Sequence, residues 1–352
     1  MAGNHNGQLK TAAGKNGQHS HAQKPEQKAV KKNGQKNGQK NGRGNGKKAN
    51  GGIAPRAPAG TLFVIGGAED RHDTKIILSR LAERIGSGKL VISTLASDYG
   101  GEVWEVYRKL FTSMGVKHVK RLGINHRDET SKDPRLGMLE DAKAVFFTGG
   151  DQLKITTRLG GTALSELIEE IYRQGGIVGG TSAGATALGE MMLVGSPGAG
   201  INKVFDALHM SPGLGLAKNM IIDQHFSERG RIRRLLGAVA QNPRMLGVGI
   251  DEDTAVVVES DGTLNTLGSG AVYIVDGHDL TYTNISQASF SRALSVFDVK
   301  LHVLSSGDRF DVHSRHPASA AVSDEDSKAE LRLIREEIAF RLGGLHPSRR
   351  AI

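Results

Sequence analysis

The sequence predicts an α/β protein built on a doubly wound, mainly parallel β-sheet with helices on both faces. From residue 60 onward, short runs rich in Val, Ile, Leu and Phe alternate with longer amphipathic stretches. This alternation is typical of the buried strands of a parallel sheet and of the helices that cover it. The sequence contains no cysteine and therefore forms no disulfides. A chain of 352 residues is long enough to bury a sizeable core, so its fold does not need them.

The region from residue 60 to residue 180 alternates strands and helices in chain order. The predicted strands lie at 61–67, 89–97, 116–124, 144–150 and 177–180, and all but the third are short apolar runs that end in glycine or in a small polar residue. The predicted helices have apolar residues three or four positions apart, and they lie at 72–86, 101–115 and 164–176. In the first helix, for example, Ile77, Leu81 and Ile85 fall on one face.

The pattern is looser after residue 182. Residues 242–277 contain apolar runs joined by Asp-Gly and Gly-Ser turns, which predict two or three further β-strands. Residues 324–344 predict an amphipathic helix that packs on the domain, while a dimer contact is left open. Its apolar stripe consists of Leu331, Ile334, Ile338 and Leu342.

The first 57 residues differ from the rest in composition. They repeat Asn-Gly followed by Gln, Arg or Lys. With 12 basic residues and one acid, this segment has a net charge of +11. The whole chain has a net charge of +9, so residues 58–352 have a net charge of −2. Such a segment buries too little apolar surface to offset its ordering entropy and is expected to be disordered. Without aromatic residues for stacking on bases, a nucleic-acid partner is not expected.

The sequence contains no apolar run of membrane-spanning length and no apolar segment of a secretory signal near residue 1. We therefore expect a cytoplasmic protein without a membrane partner. We divide the chain into a basic tail (1–57), a folded domain (58–300) and a C-terminal extension (301–352).

Ser182 is a candidate nucleophile. It lies in Gly-Thr-Ser-Ala-Gly at residues 180–184, which matches the G-x-S-x-G turn that exposes a serine between a strand and a helix. The predicted strand at 177–180 supplies the context that this turn requires. The alternative is a glycine-rich helix start that binds an anion or only turns the chain.

A serine nucleophile requires a general base that is oriented by a third group. His225 follows the apolar run 220–222, so it is expected at a strand end, where the ligand-binding loops of open α/β sheets meet. Glu252 follows another apolar run and is chosen as the acid, with Asp251 and Asp253 as competitors. The order Ser, His, acid differs from the Ser, acid, His order of α/β-hydrolases.

An acyl-transfer site also needs backbone N–H groups that stabilise the oxyanion. Ala183, directly after the serine, and Gly150, at the end of the strand 144–150, are the candidates. An ordinary turn between a strand and a helix is the alternative for Gly150. We expect no metal ion and no other cofactor.

Five stretches in this order resemble the cyanophycinases, serine peptidases with a class I glutamine-amidotransferase-like α/β fold that are related to aspartyl dipeptidases. The stretches are VIGGAEDR, FFTGGDQLK, GGTSAGA, DQHFSERGRIRRL and GIDEDTA, within residues 60–280. Five spaced matches are far more specific than one G-x-S-x-G. The basic tail and the segment after about residue 300 lie outside the resemblance.

The resemblance implies a serine-type exopeptidase with Ser182 as nucleophile, His225 as base and Glu252 as acid. It implies cyanophycin, a polyaspartate with arginine on each β-carboxyl, as substrate, β-Asp-Arg dipeptides as products, and a homodimer. The residues alone leave exo or endo cleavage and the oligomeric state open. The substrate contacts that it implies are Gln152, Asp223, Gln224, Arg231 and Arg234.

The chemistry of these residues suits that substrate. Asp223 is expected to bind a guanidinium, and Arg231 and Arg234, on one face of a helix, are expected to bind carboxylates. The first stretch also contains Gly66, Gly67 and Glu69, to which we assign no catalytic role because a turn with buried polar contacts explains them. Two alternatives are an aspartyl or isoaspartyl dipeptidase and a binding protein that keeps the pocket without catalysis.

Overall fold

The computed structural model describes residues 60–124, 127, 135–194, 208–286 and 293–318. The predicted basic tail and the predicted helix at 324–344 lie outside these residues. In the described part of the chain, no helix is both long enough and apolar enough to cross a membrane.

The described residues form seven helices and seventeen strands. The helices are α1 (Ile76–Ile85), α2 (Gly100–Ser113), α3 (Leu136–Leu139), α4 (Gln152–Leu159), α5 (Ala163–Arg173), α6 (Ala183–Leu188) and α7 (Ile232–Gln241). The strands are β1 (Thr61–Ile65), β2 (Lys89–Ser93), β3 (His118–Leu122), β4 (Ala142–Phe147), β5 (Ile177–Thr181), β6 (Gly189–Val194), β7 (His209–Pro212), β8 (Ala217–Gln224), β9 (Leu246–Ile250), β10 (Thr254–Val258), β11 (Thr263–Gly268), β12 (Val272–Asp276), β13 (Tyr282–Thr283), β14 (Val296–Phe297), β15 (Lys300–Leu304), β16 (Arg309–Asp311) and β17 (His316–Ala318).

The first sheet has nine strands in the order β17-β16-β11-β10-β1-β5-β4-β2-β3. Its five strands from β1 to β3 are parallel, and the four on the other side of β1 are antiparallel. In the central pair, β1 and β5, Ile65 pairs with Thr181. This parallel core confirms the predicted α/β class.

The second sheet has six strands in the order β15-β12-β9-β8-β6-β7. Strands β6, β8 and β9 are parallel, whereas β7, β12 and β15 are antiparallel. The segment 242–277 contributes four strands, β9 to β12, rather than two or three, and they are divided between the two sheets. The strands at 300–318 belong to these sheets as well, since β15 pairs with β12 and β16 pairs with β11.

The core consists of layers on both faces of the first sheet. Phe63 and Ile65 of β1 pack with α1 and α2 on one face, and Leu62 and Val64 pack with α4 to α6 and the second sheet on the other. Apolar residues of α7, among them Leu235 and Val239, cover the far face of the second sheet. The alternation along β1 therefore buries both faces of the strand, as its continuous apolar run predicts.

Candidate active site

Ser182 lies in a sharp turn between β5 and α6. Its φ of 53° and ψ of −117° are unusual for a residue other than glycine, and its N–H donates to the carbonyl oxygen of Ile65 at 3.0 Å. A Cβ at Gly180 would lie 2.4 Å from the carbonyl carbon of Gly184, so the turn closes only because residue 180 is glycine. The turn has the strained strand-to-helix form that exposes a serine Oγ.

His225 follows β8 and lies beside Ser182. The Oγ of Ser182 is 2.9 Å from Nε2 of His225, and the side chain of His225 is 11% exposed. Its backbone has a φ of 47°, and its N–H donates to the carbonyl oxygen of Gly66 at 2.9 Å. The imidazole is therefore mostly buried, and His225 is held by hydrogen bonds of both its backbone N–H and its ring.

Glu252 contacts the other nitrogen of that ring. Its Oε1 is 2.5 Å from Nδ1 of His225. The competing acids bind elsewhere: Asp251 accepts from the N–H groups of Ser227 and Ala271, and Asp253 accepts from the N–H of Asp70 and the hydroxyl of Ser269. Among the described contacts, Glu252 is thus the acid of this trio that reaches His225.

This chain of contacts fixes the direction of proton transfer. A carboxylate can only accept, so Nδ1–H donates to Glu252 and Nε2 is left to accept the Ser182 hydroxyl proton. Burial lowers the pKa of His225 below its ordinary value, and the hydrogen bond to Glu252 opposes this shift. The nearby Arg229 and Arg231 add to the lowering of the pKa.

The lowered pKa of His225 predicts the acidic limb of the pH profile. A general base acts only when neutral, so kcat/KM should rise with pH through a midpoint below about 6.5, the ordinary histidine value. In Glu252→Gln the contribution that raises the pKa is lost, and the midpoint should move further toward acid while kcat falls. Asp253→Asn, which alters a neighbouring acid, is the control. A midpoint that moves upward in Glu252→Gln would contradict this assignment.

The two candidate oxyanion donors are Ala183, next to Ser182 in the chain, and Gly150, in the turn after β4. Ala183 is the first residue of α6, and first-turn N–H groups have no acceptor within their own helix. A Cβ on Gly149 would lie 3.4 Å from Cβ of Ser182, so the turn after β4 lies against the serine. Gly150 has a φ of 142°, and a Cβ there would lie 2.2 Å from the carbonyl oxygen of Ala96, which requires glycine.

Asp223, in β8, binds two guanidinium groups of this chain itself. It is 1% exposed and contacts Arg231 at 3.1 Å, and Nε of Arg234 donates to its Oδ2 at 2.6 Å. Arg231 also donates to the carbonyl oxygen of Gln224. Both oxygens of Asp223 therefore have internal partners, and its expected contact with the guanidinium of a ligand stays a prediction.

The two glutamines that sequence reasoning assigned to substrate differ in their contacts. Nε2 of Gln152 donates to the carbonyl oxygen of Leu193 at 3.0 Å, which ties α4 to β6. Gln224 is 6% exposed, and its Oε1 is buried without a hydrogen-bond partner among the described residues. A buried acceptor without a partner is unusual in a folded protein.

Sequence reasoning missed one group of residues at this site, the turn that follows β1. Gly67 has a φ of 106°, and a Cβ there would lie 2.4 Å from Cε1 of His225, so this glycine packs against the imidazole. The stretch VIGGAEDR carried the signal, but a contact between residues 158 positions apart is not visible in one sequence.

Comparison with known proteins gives a consistent result. The profile of the family described as Peptidase family S51 matches residues 62–266. A protein named Cyanophycinase from Trichormus variabilis is 40% identical over 264 residues, which are 74% of this chain and 88% of that protein. Another of that name from Synechococcus elongatus is 36% identical over 258 residues, 72% of this chain and 80% of that protein.

Among solved structures, the crystal structure of a peptidase from an acI-B1 Actinobacterium superimposes with a TM-score of 0.53 at 21% identity. The match covers 73% of this chain and 98% of that chain. At this identity the likeness supports the shared fold and not a shared substrate.

Proposed function

The chain belongs to peptidase family S51, and from this premise we propose that it is a serine peptidase that degrades cyanophycin to β-Asp-Arg dipeptides. The observation that carries the proposal is the hydrogen-bonded series Ser182–His225–Glu252, with distances of 2.9 Å and 2.5 Å. The relatives named Cyanophycinase support the choice of substrate.

The proposed reaction begins with attack on a backbone carbonyl of the substrate. The Ser182 Oγ bonds to the carbonyl carbon while Nε2 of His225 takes the hydroxyl proton, and Glu252 stabilises the imidazolium. The N–H groups of Ala183 and Gly150 stabilise the oxyanion. As the C–N bond breaks, His225 returns the proton to the leaving amine and an acyl-enzyme remains on Ser182.

Water completes the cycle. His225 takes a proton from the water molecule that attacks the ester carbonyl, and it then returns a proton to Oγ of Ser182 as the ester breaks. The released acid and the free hydroxyl restore the starting state. No metal ion or other cofactor enters these steps.

Contacts next to the catalytic histidine suit a substrate that carries arginine. Gln224 directly precedes His225, and its Oε1 lacks a partner among the described residues; a guanidinium N–H would satisfy this acceptor after a movement of the side chain that exposes it. Burial lowers the pKa of Arg231 to about 10, partly offset by Asp223, so this guanidinium stays charged at neutral pH and contributes positive potential toward the carboxylates of the polymer. We propose that Asp223 orients Arg231 and Arg234 rather than binding the substrate itself.

The proposed substrate predicts the products. Incubation of the full chain with purified cyanophycin should release β-Asp-Arg, identified by mass, and turnover of ordinary Asp-X dipeptides should be far slower. The reverse preference would assign the chain to another peptidase activity of its family. A chain that cleaves neither substrate, and whose Ser182 is not labelled by a sulfonyl fluoride, would be a binding protein instead.

A further inference from the structure

The turn after β1, residues 65–70, hereafter the β1 turn, contacts the backbone of Ser182 and His225 and that of Asp253, the residue after Glu252. The N–H of Ser182 donates to the carbonyl oxygen of Ile65 at 3.0 Å, and the N–H of His225 donates to that of Gly66 at 2.9 Å. The N–H of Asp253, next to Glu252, donates to the carbonyl oxygen of Gly67 at 2.9 Å. Three successive carbonyls therefore hold three chain segments that are distant in sequence.

The same turn places the carboxyl group of Glu69 against Thr181, the residue that precedes Ser182. Glu69 is 3% exposed, and its Oε2 accepts from the hydroxyl of Thr181 at 2.5 Å. Its Oε1 accepts from the hydroxyl of Tyr107 in α2. Thr181 is the last residue of β5 and directly precedes Ser182, so Glu69 anchors the strand from which the strained turn begins.

Stability alone gives a weak reason for a carboxyl group at this position. Its two described hydrogen-bond partners are neutral hydroxyl groups, and a buried acid without a paired cation is costly compared with an apolar side chain. Burial, and then Glu69, raise the pKa of Tyr107 well above its ordinary value, so the phenol keeps its proton and remains a donor. The arrangement is rigid and directional, which suits a group that positions another.

We propose that Glu69 is a positioning residue for the serine nucleophile: through Thr181 it holds the backbone of Ser182 in the strained conformation that keeps Oγ within reach of His225. The proposal rests on the function proposed above, because it requires Ser182 to be the nucleophile. Glu69 touches neither the serine nor the imidazole among the described contacts, so its effect passes through Thr181.

The reason for an effect on rate is geometric. At a φ of 53° the backbone of Ser182 is held by its surroundings, and loss of the anchor on Thr181 allows the turn to relax. A displacement of about 1 Å at a reacting atom can lower a rate by about a hundredfold. Ground-state binding of substrate depends on other residues, so KM should change little.

The test uses Glu69→Gln and Thr181→Val, which keep side-chain size while they remove the carboxylate or the hydroxyl. The measurements are kcat and KM per active site on cyanophycin, and the rate at which phenylmethanesulfonyl fluoride sulfonylates Ser182. Each variant should lower kcat and the sulfonylation rate roughly tenfold to a hundredfold, with KM within about twofold. Thr181→Ser, which keeps the hydroxyl, should retain most of the activity.

A double variant tests the route of the effect. If Glu69 acts through Thr181, Glu69→Gln combined with Thr181→Val should be no slower than the worse single variant, since Glu69→Gln weakens the contact that Thr181→Val removes. The matched control is Glu259→Gln, at the opposite end of β1, where the carboxylate binds Arg84 at 2.6 Å and the acceptor contact to Thr61 is 3.4 Å. Its per-site kcat should equal that of the unaltered chain.

Three results would overturn the proposal: an unchanged per-site kcat in Glu69→Gln, multiplicative losses in the double variant, or an equal loss in Glu259→Gln. Because rates are expressed per serine that the fluoride labels, a fraction of misfolded protein does not alter the comparison. Failure of the proposed function is separate, since in that case the unaltered chain itself would neither be sulfonylated at Ser182 nor cleave cyanophycin.

Discussion

Ser182→Ala should lower the release of β-Asp-Arg from cyanophycin by about 10⁴-fold to 10⁶-fold, the range seen when serine peptidases lose their nucleophile. Without Oγ no acyl-enzyme can form, and the oxyanion donors and binding contacts sustain only the remaining rate. The fold should survive, because alanine has the same backbone restrictions as serine at a φ of 53° and loses only the contact with His225. The measurement is product formation together with the melting temperature.

The control for this variant is Ser113→Ala, which makes the same substitution at an exposed serine near the end of α2. Its product formation should match that of the unaltered chain. If Ser182→Ala kept more than about a hundredth of the activity while remaining folded, Ser182 would not be the nucleophile and the proposed mechanism would be wrong.

Asp223→Ala should cause the largest loss of stability among the variants considered, about 3–5 kcal/mol of unfolding free energy. The change removes the carboxylate that pairs with two guanidinium groups whose side chains are 12% and 20% exposed, and it leaves both charges without that partner. Urea unfolding with a fitted slope is the measurement. Activity should fall as well, since Asp223 lies two residues before His225.

Asp98→Ala provides the contrast. Asp98 pairs with Lys154, but its side chain is 77% exposed, and surface pairs contribute little because water screens them. Its urea midpoint should therefore hardly move. If Asp223→Ala kept its stability and raised only KM, the internal ion pairs would be secondary, and the sequence-based assignment of Asp223 to the substrate would be favoured.

The parallel core could be predicted from the sequence because its strands are buried on both faces. Such strands appear as continuous apolar runs, and the runs that begin at residues 61, 89, 144 and 177 all became strands of the first sheet. The second sheet was not predicted, because the pattern is looser after residue 182 and strands of two sheets follow each other there. A one-dimensional pattern does not record which sheet a strand joins.

The residues of the candidate site that directly follow strands could be predicted, whereas the buried contacts that hold them could not. Ser182 and His225 are polar residues that directly follow apolar runs, a position where open α/β sheets gather functional groups. The choice among three successive acids at 251–253 depended on the resemblance, since each of them follows β9 equally well. The partners of Glu69, which are Thr181 and Tyr107, and the internal partners of Asp223 belong to other elements of the chain, and no local pattern encodes such contacts.

The residues of the proposed proton-transfer pathway are divided between the two sheets. Ser182 follows a strand of the first sheet, whereas His225 and Glu252 follow strands of the second. Neither sheet alone therefore contains both a donor and an acceptor for the catalytic proton, and the 2.9 Å between Oγ and Nε2 exists only while the sheets are docked. The turnover rate is therefore expected to report on the docking of the two sheets, since a small shift of one sheet against the other separates the two atoms while each sheet keeps its own hydrogen bonds.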